Sequence, residues 1–244
     1  MDGHPQGGLR QVPRRTFFNL PEDKRRLITD LAIEEFAAHT YHKASLSRIV
    51  ARAGIAKGSI YQYFAGKFDL YLYILELAAR IKLEAIDKAI SGLGPEATLY
   101  DRLMAATEAS LKLAETHPRL YAIGMNLLRE TDKELVSRVM ERLEPKGDNV
   151  FLDWLQSAVE KGDVDPQVSP LAASYMFSAV TMRLGQDLAD GRLSLDEALP
   201  LLRQTLDILH RGLRPRDEAG FGGAGTDLTG ETDETGESDE TDRE

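Results

Sequence analysis

Between Ser45 and Lys67 the chain reads SLSRIVARAGIAKGSIYQYFAGK, and the seven positions from Lys57 to Tyr63 hold a cation, a hydroxyl, an amide and two phenols. Such groups suit reversible hydrogen bonding. Lysine donates to guanine O6 and N7, glutamine pairs bidentately with adenine, and hydroxyls or helix amides suit phosphate oxygens. Bond-making chemistry has no comparable set. The chain has no cysteine, which excludes thiol nucleophiles, zinc–thiolate sites, iron–sulfur clusters and disulfides. It has no glycine-rich phosphate loop and no HExxH. His39 and His42 stand three apart, but a metal needs further ligands and nothing nearby supplies them. The expectation is a protein that is not an enzyme and takes no cofactor or metal.

Two short helices must position these groups. Ser45 is suited to cap one running through Ala53, Gly54 can take a positive φ at the turn, and a second is expected over 57–64. Ile49, Val50 and Ala53 can face Ile60 and Phe64, which leaves Lys57, Gly58, Ser59, Tyr61, Gln62 and Tyr63 outward. That is the layout of a helix-turn-helix, whose second helix enters a major groove. Taken alone, the residues fit an ordinary αα-hairpin with a polar exterior equally well.

The rest of the chain reads as helix too. A 3–4 spacing of Leu27, Ile28, Leu31, Ala32 and Phe36 follows Pro21, and a long helix is expected from Lys67 toward Ile90. Prolines and glycines then bound helices over 96–116, 118–130, 133–143, 147–161, 169–190 and 194–214. The fold class expected is all-α, with a flexible basic arm over 1–19, a helix-turn-helix domain over 20–66, a helical regulatory and dimerisation domain over 67–214, and a disordered acidic tail over 215–244. The tail, rich in Gly, Thr, Asp and Glu, has too little apolar surface to offset the entropy of ordering. A solubilising role is the plainer reading of it, and an interaction role the alternative. The arm's Arg10, Arg14 and Arg15 could reach a minor groove or simply add nonspecific attraction.

The net charge of −10 hides an asymmetry: residues 1–70 hold eleven Lys/Arg against seven Asp/Glu, and residues 215–244 hold two against eleven. A basic front on an acidic body is compatible with one end meeting phosphates. No apolar leader or stretch long enough to span a bilayer is present, so a soluble, cytoplasmic protein without a membrane partner is expected.

From Phe17 to Leu77 the sequence resembles the tetracycline-repressor (TetR) family of bacterial transcription regulators, through Ala32…Phe36…Tyr41, Ser45…Ile49, AGIAKGSIYQYF and Lys67…Leu70. The resemblance implies that Lys57, Gly58, Ser59 and Gln62 face base edges, joined by Ser47. It implies that Ser45, Tyr61, Tyr63 and Lys67 hold phosphates; for Tyr61 the alternative is a place in the helix–helix seam. Three departures stand out: Thr40 where the family has glycine, Ala56 where it has a capping Ser or Thr worth about 1 kcal/mol, and Gly66 and Phe68 where it has more polar residues.

The resemblance also implies an effector cavity and a dimer face made by the last two long helices. Met104, Leu111, Tyr121, Met125, Asn126, Leu128, Phe151, Trp154 and Leu155 mix the residue types of an apolar pocket, though each alone also suits plain core. Asn126, an amide on an apolar helix, needs a partner. Tyr175, Phe177, Leu184, Leu199, Leu202 and Leu206 are the candidate dimer residues, on helices that could instead be purely intramolecular. The function expected is a homodimeric regulator, a repressor released from a palindromic double-stranded DNA operator by a small-molecule effector. The alternative is an all-α interaction scaffold without regulated DNA binding.

Overall fold

Prolines, glycines and side-chain caps divide the chain into the expected succession of helices, several of them shorter than their expected bounds. The computed structural model describes residues 12–143 and 148–215; among them are eleven helices and no strand. They are α1 (Arg15–Phe18), α2 (Glu22–Ala38), α3 (Leu46–Arg52), α4 (Ile60–Tyr63), α5 (Lys67–Ser91), α6 (Leu99–Thr116), α7 (Pro118–Leu128), α8 (Lys133–Met140), α9 (Asp148–Glu160), α10 (Pro170–Ala189) and α11 (Leu195–Leu213). Ser45, Thr98, Asp132, Ser169 and Ser194 each accept from the amide three residues on, which satisfies donors a helix start leaves unpaired. Thr98 with Asp101 and Ser194 with Glu197 complete reciprocal capping boxes. Gly54 takes φ +64° at the turn after α3, a conformation that costs glycine nothing. Thr40 meets no demand for a left-handed cap at the end of α2, because the helix leaves through an extended His39 at φ −135°, ψ 139°.

The basic arm expected over 1–19 is corrected at its described end. Arg15–Phe18 is helical and Phe17 is 1% exposed, its ring 5.0 Å from that of Phe64 and 5.5 Å from that of Tyr73. Burying a phenylalanine stabilises by about 2 kcal/mol, enough to bind this stretch to the head. Residues 1–11 of the arm, and the tail past Pro215, lie outside the described residues.

Two apolar cores result. The first joins Ile28, Phe36, Ile49, Ile60 and Phe64 to Leu70 and Ile74 of α5, and continues into Leu120, Ile123, Leu135 and Val139 of α7 and α8. The second lies farther along, among Leu103, Leu111, Leu155, Leu184, Leu202 and Leu206. The head therefore has no core of its own that stops at residue 66: the start of α5 and parts of α7 and α8 finish it.

One carboxylate sets the angle between α2 and α3. Glu35 is 5% exposed; it accepts from Arg48 Nε at 3.0 and 3.1 Å, from Arg48 Nη2 at 2.5 Å and from the Ser45 amide at 2.7 Å. Burial alone would raise its pKa, but the Arg48 guanidinium and the Ser45 N–H outweigh it and hold the carboxyl below its ordinary 4.5. A group with a depressed folded pKa contributes stability that is present above the unfolded value and lost as pH falls through the folded one. Glu35→Gln should cost about 1–2 kcal/mol at neutral pH, Arg48 being half exposed. The difference from wild type should shrink below pH 4.5, as read by denaturant unfolding at stepped pH; a constant difference down to pH 3 would count against this role.

Candidate nucleic-acid interface

The segment from α3 to α4 is a helix, a glycine turn and a second, shorter helix. The second helix is shorter than expected: Lys57–Ser59 form a turn and only Ile60–Tyr63 is helical. Gly58 disfavours helix, and Ser59 makes no side-chain cap. Inward, Ile60 and Phe64 are each 1% exposed beside Ile49 and Val50. Outward, Lys57, Gly58 and Gln62 are exposed, as is Ser47 on α3, while Ser59 is half-buried. Tyr61 is 45% exposed and so is not sealed into the helix–helix seam.

The residues expected at phosphates are less uniform. The Ser45 hydroxyl caps α3 at 3.4 Å from the Arg48 amide. Tyr63 is half-buried, its ring 6.0 Å from that of Phe17. Lys67 donates through Nζ to the carbonyls of His42 at 3.2 Å and Ala44 at 3.1 Å, and lies 4.6 Å above the Tyr41 ring. Burial lowers its pKa, with the Glu35 carboxylate opposing. Lys67 is thus first a tie between the start of α5 and the loop before α3. His42, one of the two histidines three apart, meets Asp132, the residue that caps α8, at 2.9 Å.

Sequence reasoning missed Thr16, and it read Arg14 as an arm residue for a minor groove or for nonspecific attraction rather than as a partner of α4. Arg14 donates from Nη1 to the Tyr61 carbonyl at 2.8 Å and from its backbone N–H to the Tyr63 carbonyl at 2.9 Å, and the Thr16 hydroxyl donates to the Gln62 carbonyl. The adjacent pair Phe17–Phe18 was the signal available, since two aromatics are out of place in a solvated leader. The body grips the head from the other side: Arg119 of α7 donates at 2.9 Å to Glu34, which also accepts from Arg52 within the head at 2.5 Å, and the Arg138 guanidinium lies 4.2 Å over the Phe68 ring.

In the body, a cavity of about 320 Å³ opens between α6, α9, α10 and α11, lined by Leu99, Tyr100, Leu103, Phe151, Ala173, Met176, Phe177, Leu206, His210 and their neighbours. Of the expected pocket residues only Phe151 lines it, stacked on Phe177 at 5.3 Å. Met104, Leu111 and Leu155 are buried in the second core, and Trp154 packs partly buried against it. Tyr121 and Met125 instead close on α10. The Tyr121 hydroxyl donates to the Gly185 carbonyl at 3.3 Å, and a Cβ at Gly185 would stand 3.0 Å from that hydroxyl and 3.3 Å from Met125 Sδ. Asn126 is exposed and Leu128 is 49% exposed, so the amide is hydrated rather than partnered within. Residue type did not reveal that α7 and α10 meet too closely to leave a space there.

The expected dimer residues divide as well. Tyr175 is 76% exposed, but Leu184, Leu202 and Leu206 are buried in the chain's own core, Leu199 is half-buried, and Phe177 is half-buried in its stack. The leucine stripe of α11 faces inward because the body core claims it. The outward apolar face consists of Leu171, Tyr175, Met176 and Met182 on α10 with Leu201 and Ile208 on α11.

Among the described residues no helix is long and apolar enough to cross a membrane. Residues 28–74 match the family model of bacterial regulatory proteins of the tetR family. The HTH-type transcriptional activator FasR of Mycolicibacterium smegmatis is 31% identical over 152 residues, 60% of this chain, and the chain spans 64% of that relative's length. A TetR family transcriptional regulator from Chloroflexus aurantiacus, solved as a crystal structure, superimposes with a TM-score of 0.65 at 28% identity, over 84% of this chain and 100% of that one. The transcriptional regulator FadR from Bacillus subtilis, solved in complex with stearoyl-CoA, shares the fold at a TM-score of 0.62 and 21% identity, over 78% of this chain and 99% of that one. Residues 28–74 thus carry the helix-turn-helix of the tetR family of bacterial regulatory proteins, and the all-helical chain around them shares its fold with a solved TetR family regulator.

Proposed function

We propose that the chain is a homodimeric, ligand-responsive DNA-binding regulator that represses transcription from a palindromic operator until an effector releases it. The observation that carries this reading is the outward row of Lys57, Gly58, Tyr61 and Gln62 over a sealed Ile60–Phe64 base. In it, Lys57, Gly58, Ser59, Gln62 and Ser47 meet base edges, and Tyr61, Tyr63 and Ser45 meet phosphates. Lys67 has one N–H left for a phosphate beyond its two carbonyls. A duplex chosen from a random pool should be palindromic and bound saturably. Lys57→Ala should relax the preference at the base it reads by about 1–3 kcal/mol, and Gln62→Ala should change the preferred base; an unchanged preference removes Gln62 from the reading set.

Two-fold half-sites demand a two-fold protein. Leu171, Tyr175 and Ile208, exposed by 74%, 76% and 69%, form an apolar face that water disfavours and that a second copy would cover. Tyr175→Asp with Ile208→Asp should halve the mass in sedimentation while leaving helical content unchanged; a double variant that stays dimeric would move the interface elsewhere.

The cavity supports an effector with an aliphatic portion, since its polar side chains are confined to Tyr100 and His210, whose rings lie 5.4 Å apart. The stearoyl-CoA bound by FadR makes a long-chain acyl thioester the first candidate. To release DNA it must favour the off-DNA conformation, because equal affinity for both shifts nothing. Stearoyl-CoA should raise the melting temperature and weaken binding to the selected duplex. Gly212→Phe, at a lining position whose Cβ has open space within 4 Å, should reduce both effects. Tighter DNA binding with the ligand would make the chain an activator, the sense in which FasR is named.

A further inference from the structure

The reading helix α4 is one turn long, and a helix of that length does not persist in water unaided. It has no side-chain cap at its start. At its end the backbone turns extended at Phe64 (φ −131°, ψ 138°), and the Ala65 N–H goes to the Asp69 carboxylate at 2.9 Å. The last carbonyls of a helix have no partner within it. Here those of Tyr61, Gln62 and Tyr63 each find a donor in one place outside the helix-turn-helix: Arg14 Nη1 on Tyr61, the Thr16 hydroxyl on Gln62 and the Arg14 N–H on Tyr63. The guanidinium also brings positive charge to the helix end that favours it. Phe17 pins this stretch from below, buried against the rings of Phe64, Tyr63 and Tyr73.

We infer that Arg14–Phe18 is a clamp that fixes the pitch of the reading helix, and that Arg14 and Thr16 are positioning residues for DNA recognition that touch no base. The clamp sets how Lys57 and Gln62 enter a groove, and its consequence for DNA rests on the DNA-binding reading above. The three bonds go to main-chain carbonyls, so the clamp acts on the helix as a body whatever its side chains are.

The test uses the full chain with Arg14→Ala, Thr16→Val and Thr16→Ser, against the duplex selected from a random pool. Arg14→Ala and Thr16→Val should each weaken binding about tenfold, the effect of losing one good hydrogen bond from the helix end. The salt slope should stay at its wild-type value, because no phosphate contact is lost. Thr16→Ser keeps the hydroxyl and should restore wild-type affinity. Without DNA, hydrogen exchange at the Gln62 and Phe64 amides should quicken in Thr16→Val while α2 keeps its protection. A salt slope reduced by about one in Arg14→Ala would make Arg14 a direct phosphate ligand and overturn the clamp. So would unchanged exchange in α4, or quickening spread evenly over the head. If no duplex is selected, the DNA reading fails, and the exchange measurement still decides the clamp by itself.

Discussion

The head depends on a charge that has been taken out of water. Glu35 sits beneath the loop that joins α2 to α3, and a buried carboxylate is tolerable only if its oxygens are answered. Arg48 and the Ser45 amide answer them. One side chain of α2 thereby fixes both the first amide of α3 and the course of its first turn. The turn at Gly54 and the seating of Ile60 and Phe64 follow from that placement. Arg48 also donates to the Lys43 carbonyl at 2.8 Å, so the loop is held from both ends. The position of the reading surface traces back to a polar node rather than to the apolar residues alone.

The apolar residues do something else: they make the head and the body inseparable. The first core runs from Phe17 through Ile74 into Leu120, Ile123, Leu135 and Val139 without a break. Around it lie three polar or cationic ties, Arg119 to Glu34, His42 to Asp132 and Arg138 over Phe68. Exposed ion pairs of this kind contribute little to stability. Their value is directional, because they mark where α7 and α8 push on α2, on the loop after it and on the start of α5.

Much of this was legible in the sequence, for reasons that can be named. Helix ends were readable at Pro118, Ser169, Pro170 and Ser194, which act at the positions their chemistry suggests, whereas α6, expected from residue 96, starts at Leu99 after its Thr98 cap. The two-helix hairpin was readable from Ser45, the small Ala53 and Gly54, but only the resemblance over Phe17–Leu77 separated a helix-turn-helix from an ordinary αα-hairpin. The clamp was not, since Arg14 and Thr16 act on main-chain carbonyls 46 and 47 residues away, and no local pattern encodes a carbonyl's partner. The exposed apolar face was half readable. Period alone finds an apolar stripe on α11 but does not say that Leu202 and Leu206 turn inward while Ile208 turns out. The cavity escaped for a related reason: its walls come from four helices, and whether side chains fill a space or frame it is a property of their crossing, not of their kind.

The far end of α10 holds a last feature with wide reach. Asp187 accepts from Arg183 at 2.7 Å and from Arg192 at 2.6 Å; Asp190 accepts from Arg192 and from Arg129 at 2.6 Å each, and Arg129 also donates to the Gln186 carbonyl at 3.1 Å. Arg129 closes α7, the same helix whose opening residues press on the head through Arg119. α7 thus spans the molecule as a tie, knotted to α10 through Arg129 at one tip and joined to Glu34 of α2 through Arg119 at the other, so that one rod connects the outer end of α10 to the head.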